Sequence, residues 1–330
     1  MPISMRKRVL RRCLPRFVCV FASLAVSASC VFSLFSLFSR RNGLKPSTAI
    51  ILTVSDAEEH ERLSHVAFDA IFRDIDIPGP YAPVVVREGG TNLSSFFEGI
   101  TVVEASRDIE REAWGVSFHL FSGIYGASVK PAAIRWLAFS EYEQAWIVEP
   151  DVVYTGSWAR LFSKYDAVDG SDLVAFNTTF RFGENKTTWN HWRACVYCKY
   201  VDPWRRQASL LPAFRISRRL ALELFTFLNT SSRSGHHEAM LPTFVTAHDA
   251  PHGFSWTDLA PDVGYVRWRP VFDDARASSI RRDALYHPVK SPRAHERLSR
   301  AFSRPPPHPA SSSHSGPPPD IFLPVVEDIR

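Results

Sequence analysis

Cysteine is scarce in this chain of 330 residues: there are five, and Cys13, Cys19 and Cys30 lie in or beside an apolar stretch near the N-terminus. Only Cys195 and Cys198 remain for the body, so a disulfide-rich scaffold is excluded. A zinc site needs about four ligands, and His191 adds only one to this pair. A redox dithiol wants a thioredoxin-like βαβ setting, which the surrounding sequence lacks. A local disulfide and two buried thiols stay open. No glycine-rich phosphate loop is visible, which argues against a kinase. A sulfotransferase needs a basic phosphate-cradling loop directly after its first strand; Val54-Ser55-Asp56-Ala57-Glu58 is acidic there. No internal repeat is present.

Acidic residues are absent from the first 45 positions, which hold nine of the 39 basic ones. The rest of the chain therefore sets 30 basic residues against 34 acidic ones, a net of −4. The pI near 9 belongs to the N-terminus and is no argument for nucleic-acid binding. Charge is also missing from residues 17–38, whose 22 positions are mostly Phe, Val, Leu, Ala and Ser. As a helix this segment would span about 33 Å, enough to cross a bilayer core. We read it as an uncleaved anchor; a signal peptide cut near Ser27-Ala28-Ser29 is the competing reading. Six basic residues precede the segment and three follow it, so the positive-inside rule leaves 1–16 in the cytosol and the body in the lumen. Palmitoylation of Cys13 and Cys19 fits that position. Four sequons, at Asn92, Asn177, Asn185 and Asn229, fit a luminal body.

Beyond a short stem, 39–47, the chain reads as one α/β domain over 48–300. Ala49–Val54 is a continuous apolar, β-branched run, the mark of a strand covered on both faces. Glu58–Arg73 has helical spacing, and Tyr81–Val86 and Ile100–Glu104 read as strands. Lys130-Pro131 opens a helix to Tyr142. Later elements are a helix over Trp158–Tyr165, strands over Asp172–Phe176, Leu211–Ser217 and Tyr265–Phe272, and a helix over Arg218–Leu228. Residues 187–204 read as an irregular loop packing its own aromatics. The tail 301–330 is too rich in Pro and Ser to bury a core.

The stretch Ala145–Trp158 carries the chemistry. An apolar strand ends in Glu149-Pro150-Asp151, and Pro150 cannot continue a central ladder. Residues i and i+2 of an extended chain point the same way, so the two carboxylates project together. Convergent carboxylates at a strand's end make half a site for a hard divalent cation. In open α/β sheets ligands bind at that end.

With these residues in place, the chain resembles the GT-A type of glycosyltransferase. Closer wording, Lys130-Pro-Ala-Ala-Ile-Arg-Trp136, then Trp146-Ile-Val-Glu-Pro-Asp151, then Gly156-Ser-Trp158, is similar to eukaryotic relatives of that fold. The resemblance implies a Rossmann-like, mostly parallel sheet flanked by helices, behind a type II Golgi anchor. It implies Mn²⁺ or Mg²⁺ on the diphosphate of a nucleotide sugar, and a glycan or glycoprotein acceptor. Glu149-Pro150-Asp151 would be the acidic motif, with Glu departing from the usual Asp at its first position. His287 in Tyr286-His287-Pro288-Val289-Lys290 would complete the metal shell, and Lys290 would contact phosphate. Asp56 sits where such folds meet the nucleotide base. Lys130 and Arg135, just before the acidic strand, are candidates for the diphosphate or nucleotide. An inverting transfer needs a general base, and Glu238 at a helix start is the candidate, with Asp249, Asp258 and Asp262 as competitors. Tryptophans 189, 192 and 204 are candidates to stack on sugar. The rival from another class is a non-catalytic luminal carbohydrate-binding or transferase-like partner.

Overall fold

In the computed structural model the described residues are 47–301, apart from 56–57, 76–78, 90–98, 116–117, 122–127, 168–170, 177–190, 232, 249–252, 268–269 and 273–279. The anchor at 17–38, Asp56, Asp249, Trp189, the sequons at Asn92, Asn177 and Asn185, and the tail from 302 lie outside them. Among the described residues no helix is long and apolar enough to cross a membrane.

The strands are β1 (Thr48–Val54), β2 (Tyr81–Glu88), β3 (Thr101–Ala105), β4 (Gln144–Val148), β5 (Val153–Tyr154), β6 (Leu173–Ala175), β7 (Ala213–Ser217), β8 (Trp256–Asp258), β9 (Val263–Val266) and β10 (Leu285–His287). The helices are α1 (Glu58–Phe72), α2 (Arg107–Trp114), α3 (Phe118–Phe121), α4 (Val129–Phe139), α5 (Trp158–Asp166), α6 (His191–Ala194), α7 (Arg218–Thr230), α8 (His237–Ala247) and α9 (Pro292–Ala301). A seven-stranded sheet has the order β3-β2-β1-β4-β7-β6-β8. All its pairings are parallel except those of β7, which runs antiparallel between β4 and β6. This is the mostly parallel α/β architecture that the resemblance implied.

Both faces of the sheet are covered, which explains the unbroken apolar runs. Ala49 and Ile51 of β1, with Ala145 and Ile147 of β4, pack on one face against Ile134 and Leu137 of α4. Ile50, Leu52 and Val54, with Trp146 and Val148, pack on the other against Ala67 and Ile71 of α1 and Phe162 of α5. The period of two thus assigns alternate residues to two separate cores.

A second sheet, β5-β10-β9, stands beyond the carboxyl end of β4. β10 pairs antiparallel with β5 and parallel with β9. Its underside is a small core of Val153, Tyr286, Val289, Ala294 and Leu298. The expected strand over Tyr265–Phe272 forms instead at Val263–Val266, because its partner β10 ends at His287 and pairs no further than Val266. Of the expected irregular loop 187–204, residues 187–190 lie outside the described residues, and the rest forms α6 and two 3-10 turns, Tyr197–Tyr200 and Pro203–Arg205. Cys195 and Cys198 form a disulfide, which rules out the zinc reading of that pair.

Candidate functional site

β4 ends at Val148, and the chain turns tightly, with the Val152 amide donating to the Glu149 carbonyl. The Glu149 amide donates to Pro212 O of the neighbouring segment, so the turn is tied to the start of β7. Asp151 is tied to the far end of the chain: the Val289 amide donates to its carbonyl at 2.9 Å. These bonds, with the β5–β10 pairing, bring His287 over the acidic turn across more than a hundred residues. His287 Nε2 lies 3.3 Å from Glu149 Oε2 and 3.5 Å from Asp151 Oδ1. One ligand atom from each of Glu149, Asp151 and His287 lies within 4.8 Å of the others.

Three details fit a cation. Asp151 is 1% exposed, and its Oδ1 is buried with no hydrogen-bond partner. A buried orphan carboxylate oxygen is costly unless something charged meets it. His287 Nδ1 donates to the Arg267 carbonyl at 3.0 Å, which aims Nε2 at the acids, where giving up its proton would free a lone pair for a cation. Carboxylate oxygen and imidazole are also a suitable donor set for Mn²⁺.

Two lysines complete the polar cluster. Lys290 Nζ lies 2.6 Å from Asp151 Oδ2, and Lys130 Nζ 2.7 Å from Glu149 Oε1. Lys130 comes from the first turn of α4, whose N-terminus is pinned to the end of β2: the amide and hydroxyl of Ser128 both donate to Glu88 Oε1. Burial pushes the Glu149 carboxyl up, but the charges of Lys130 and His287 outweigh it and hold the group well below its usual range. Burial pushes His287 down, and the charges of Asp151 and Glu149 more than reverse this.

Glu238 opens α8, as expected. It is buried, and its Oε1 accepts from the Leu211 amide at 3.4 Å, one residue before the Pro212 that anchors Glu149. Burial, aided by the charge of Glu149 and opposed by Lys130, pushes its carboxyl up to about 7. Among the competing acids, Asp262 is held by Lys164 and the Tyr165 hydroxyl, and Asp258 caps the turn at Ala260.

Arg135 is not part of the cluster. Five positions after Lys130, it lies on another side of α4. It makes two hydrogen bonds to Glu110, a fully buried carboxylate that also accepts from Trp114 Nε1. It holds α2 to α4, and the diphosphate or nucleotide contact expected of it has no support in this geometry. The tryptophans divide as well: Trp192 is buried, whereas Trp204 is 67% exposed with Arg205 over its ring.

His236 and His237 form a layer that sequence reading did not assign. The rings of His191 and His236 stack at 3.7 Å, and those of His236 and His237 at 4.4 Å. Burial lowers all three in pKa, so the column is neutral. His191, His236 and Glu238 also bring ligand atoms within 4.8 Å of one another. They do not suit one shared ion: imidazole lone pairs lie in the ring plane, and these two planes are only 20° from parallel. A polar cavity of about 560 Å³ lies at the opposite end of the strands, lined by Thr48, Gln144, Asp172 and Arg215. Its Asp172 is already bound to Arg219 and Ser217.

No family model and no curated protein matches the sequence. Among solved structures the chain is similar to mouse xyloside xylosyltransferase 1, at 12% identity over 73% of this chain and 96% of that one, TM-score 0.44. It is similar to the galactosyltransferase LgtC in complex with donor and acceptor sugar analogues, at 10% identity over 78% and 97%, TM-score 0.45. It is also similar to glucosyl-3-phosphoglycerate synthase from Mycobacterium tuberculosis in complex with Mn²⁺, UDP-glucose and phosphoglyceric acid, at 14% identity over 59% and 74%, TM-score 0.32. At such identities and TM-scores the likeness assigns no reaction, and the chemistry has to come from this chain's own residues.

Proposed function

We propose that this chain is a metal-dependent glycosyltransferase of the GT-A type, moving a sugar from a nucleotide-diphosphate donor to a glycan or glycoprotein acceptor. One observation carries the reading. Glu149, Asp151 and His287 converge at the carboxyl end of β4, where buried Asp151 Oδ1 has no hydrogen-bond partner. Asp151, Glu149 and His287 would hold Mn²⁺ or Mg²⁺. When bound, the ion neutralises the charge that develops on the departing diphosphate. Lys290 and Lys130 add positive charge at the same place, suited to diphosphate oxygens. Asp56, just past β1, is assigned to the nucleotide base. In an inverting transfer Glu238 takes the proton of the acceptor hydroxyl, and a carboxyl poised near 7 is matched to that task.

A nucleotide-release assay of the full chain across UDP- and GDP-sugars, with and without Mn²⁺, tests this. The expected result is Mn²⁺-dependent release from one donor, lowered at least about 100-fold in Asp151→Asn. If neither UDP nor GDP binds in Mn²⁺ and Asp151→Asn changes nothing, the enzyme reading fails in favour of a non-catalytic luminal carbohydrate-binding protein.

The same reading puts the body in the Golgi lumen, behind a type II anchor at 17–38. The charge asymmetry around that segment supports it, and so does the sequon at Asn229, which is exposed near the end of α7. Glycosidase treatment of protein made in secretory cells should lower its apparent mass, with a smaller drop in Asn229→Gln. Identical mobility before and after treatment counts against a luminal body.

A further inference from the structure

Each carboxylate of the acidic pair already has an ammonium of its own. Glu149 has Lys130 at 2.7 Å and Asp151 has Lys290 at 2.6 Å. The two pairs differ in how firmly they are built. Lys130 is 10% exposed at its side chain, and its Nζ lies 3.3 Å from His237 Nε2. His237 Nδ1 donates to the Phe121 carbonyl at 3.1 Å, so Nε2 is the acceptor and Lys130 the donor. Lys130 is thus fixed between two acceptors. Lys290 follows β10 in a segment without regular structure, and its side chain is 30% exposed on a flexible four-carbon stem.

Charge decides what a cation meets here. Two carboxylates against two ammonium groups sum to zero, before His287 is counted. A dication arriving alone gains little from a neutral site: Asp151 Oδ1 is open to it, but Lys290 on Oδ2 cancels the charge of this acid, the more buried of the two. A diphosphate changes both terms. Its oxygens give Lys290 a charged partner, and they supply the cation with further oxygen ligands.

We propose that Lys290 is an exchangeable counter-ion of Asp151, so that cation and nucleoside diphosphate enter this site as a pair. The diphosphate draws Lys290 off Asp151 Oδ2, which leaves the full carboxylate charge to the cation at Oδ1. Lys130 stays on Glu149. The proposal rests on the metal-dependent reading above and adds to it a sign that a plain phosphate-binding lysine does not have: removing Lys290 strengthens the binding of metal alone.

Free Mn²⁺ measured by its electron paramagnetic resonance signal, in titrations of the full chain, reads this without any turnover. Titrations run with and without UDP or GDP, whichever the donor screen selects, and are corrected for Mn²⁺ held by nucleotide in protein-free solution. For the unaltered chain, nucleotide should tighten Mn²⁺ about tenfold or more. Lys290→Gln should bind Mn²⁺ alone about tenfold tighter than the unaltered chain, and gain less from nucleotide. Lys290→Arg keeps the charge and should keep the coupling; it also serves if Lys290→Gln does not fold. Equal or weaker Mn²⁺ binding by Lys290→Gln overturns the proposal while leaving the metal site intact. So does independent binding of Mn²⁺ and nucleotide to the unaltered chain. Absence of Mn²⁺ binding in both conditions removes the metal-dependent reading, and the proposal with it.

Discussion

Glu238 shows how a single buried acid couples the candidate chemistry to stability. Its carboxyl is raised from 4.5 to about 7, chiefly by burial. An acid with a raised pKa holds its proton more tightly folded than unfolded, so the unfolded state binds fewer protons between those values. Stability therefore falls as pH rises through that window, by up to about 3 kcal/mol at 1.36 kcal/mol per unit. Glu238→Gln cannot ionise and should escape the fall. In urea unfolding, its stability relative to the unaltered chain should rise from pH 5 to pH 8 and then level off. A difference that does not vary with pH would mean that Glu238 ionises as an ordinary surface acid. Arg135 gives the opposite lesson. Its sequence position beside Lys130 suggests a ligand contact, yet its guanidinium neutralises fully buried Glu110. Arg135→Met strands that charge and should cost about 3 kcal/mol in unfolding. Mn²⁺ and nucleotide affinity should stay unchanged, and a clear loss of either would return Arg135 to the site.

At the level of elements, the site depends on how α4 and the segment 191–205 are held. α4 begins where the Ser128 hydroxyl and amide meet Glu88 at the end of β2, and this bond aims Lys130 at Glu149. Ser128→Ala removes one hydrogen bond to a buried carboxylate and should cost about 2 kcal/mol, read from urea unfolding. An unchanged midpoint would show that other contacts of Glu88 hold α4 in place. The Cys195–Cys198 disulfide presses on Gly235, where an added Cβ would stand 2.6 Å from Cys195 Sγ. Only glycine fits there, and the residues it leads into are the His236–Glu238 start of α8. Periodicity predicts elements like these well where each has one buried stripe, as in α1 and α7. It fails at β5, β8 and β10, which are two or three residues long and hold their place through pairing.

For the whole molecule, the decisive construction is the return of the chain's end onto its middle. α9 packs on α1 and β5, and His295 Nε2 donates to the Val152 carbonyl at 3.1 Å. It roofs the small core under β5 and β10. Truncation after residue 290 keeps every proposed metal ligand but removes that roof. It should abolish Mn²⁺ binding, whereas truncation after residue 301 should leave it intact; retained binding in the shorter form would mean that β10 docks unaided. The amino-acid order determined much by itself. Ala49–Val54 and Ala145–Val148 read as buried strands because they are short, nearly unbroken apolar runs of strand-forming residues. Pro150 marked where the ladder ends with an acid on either side, and His236-His237-Glu238 before an apolar segment fitted a helix start. Tertiary structure alone decided the rest. Which cation meets which acid is set across separations of 19 residues for Lys130 and Glu149 but 139 for Lys290 and Asp151. Local periodicity records which face of an element is buried, not which distant element buries it. The insertion of antiparallel β7 beside β4, the folding back of β10 onto β5 and the loss of Arg135 to Glu110 are all choices of partner. Such choices follow from the summed burial and pairing of the whole fold.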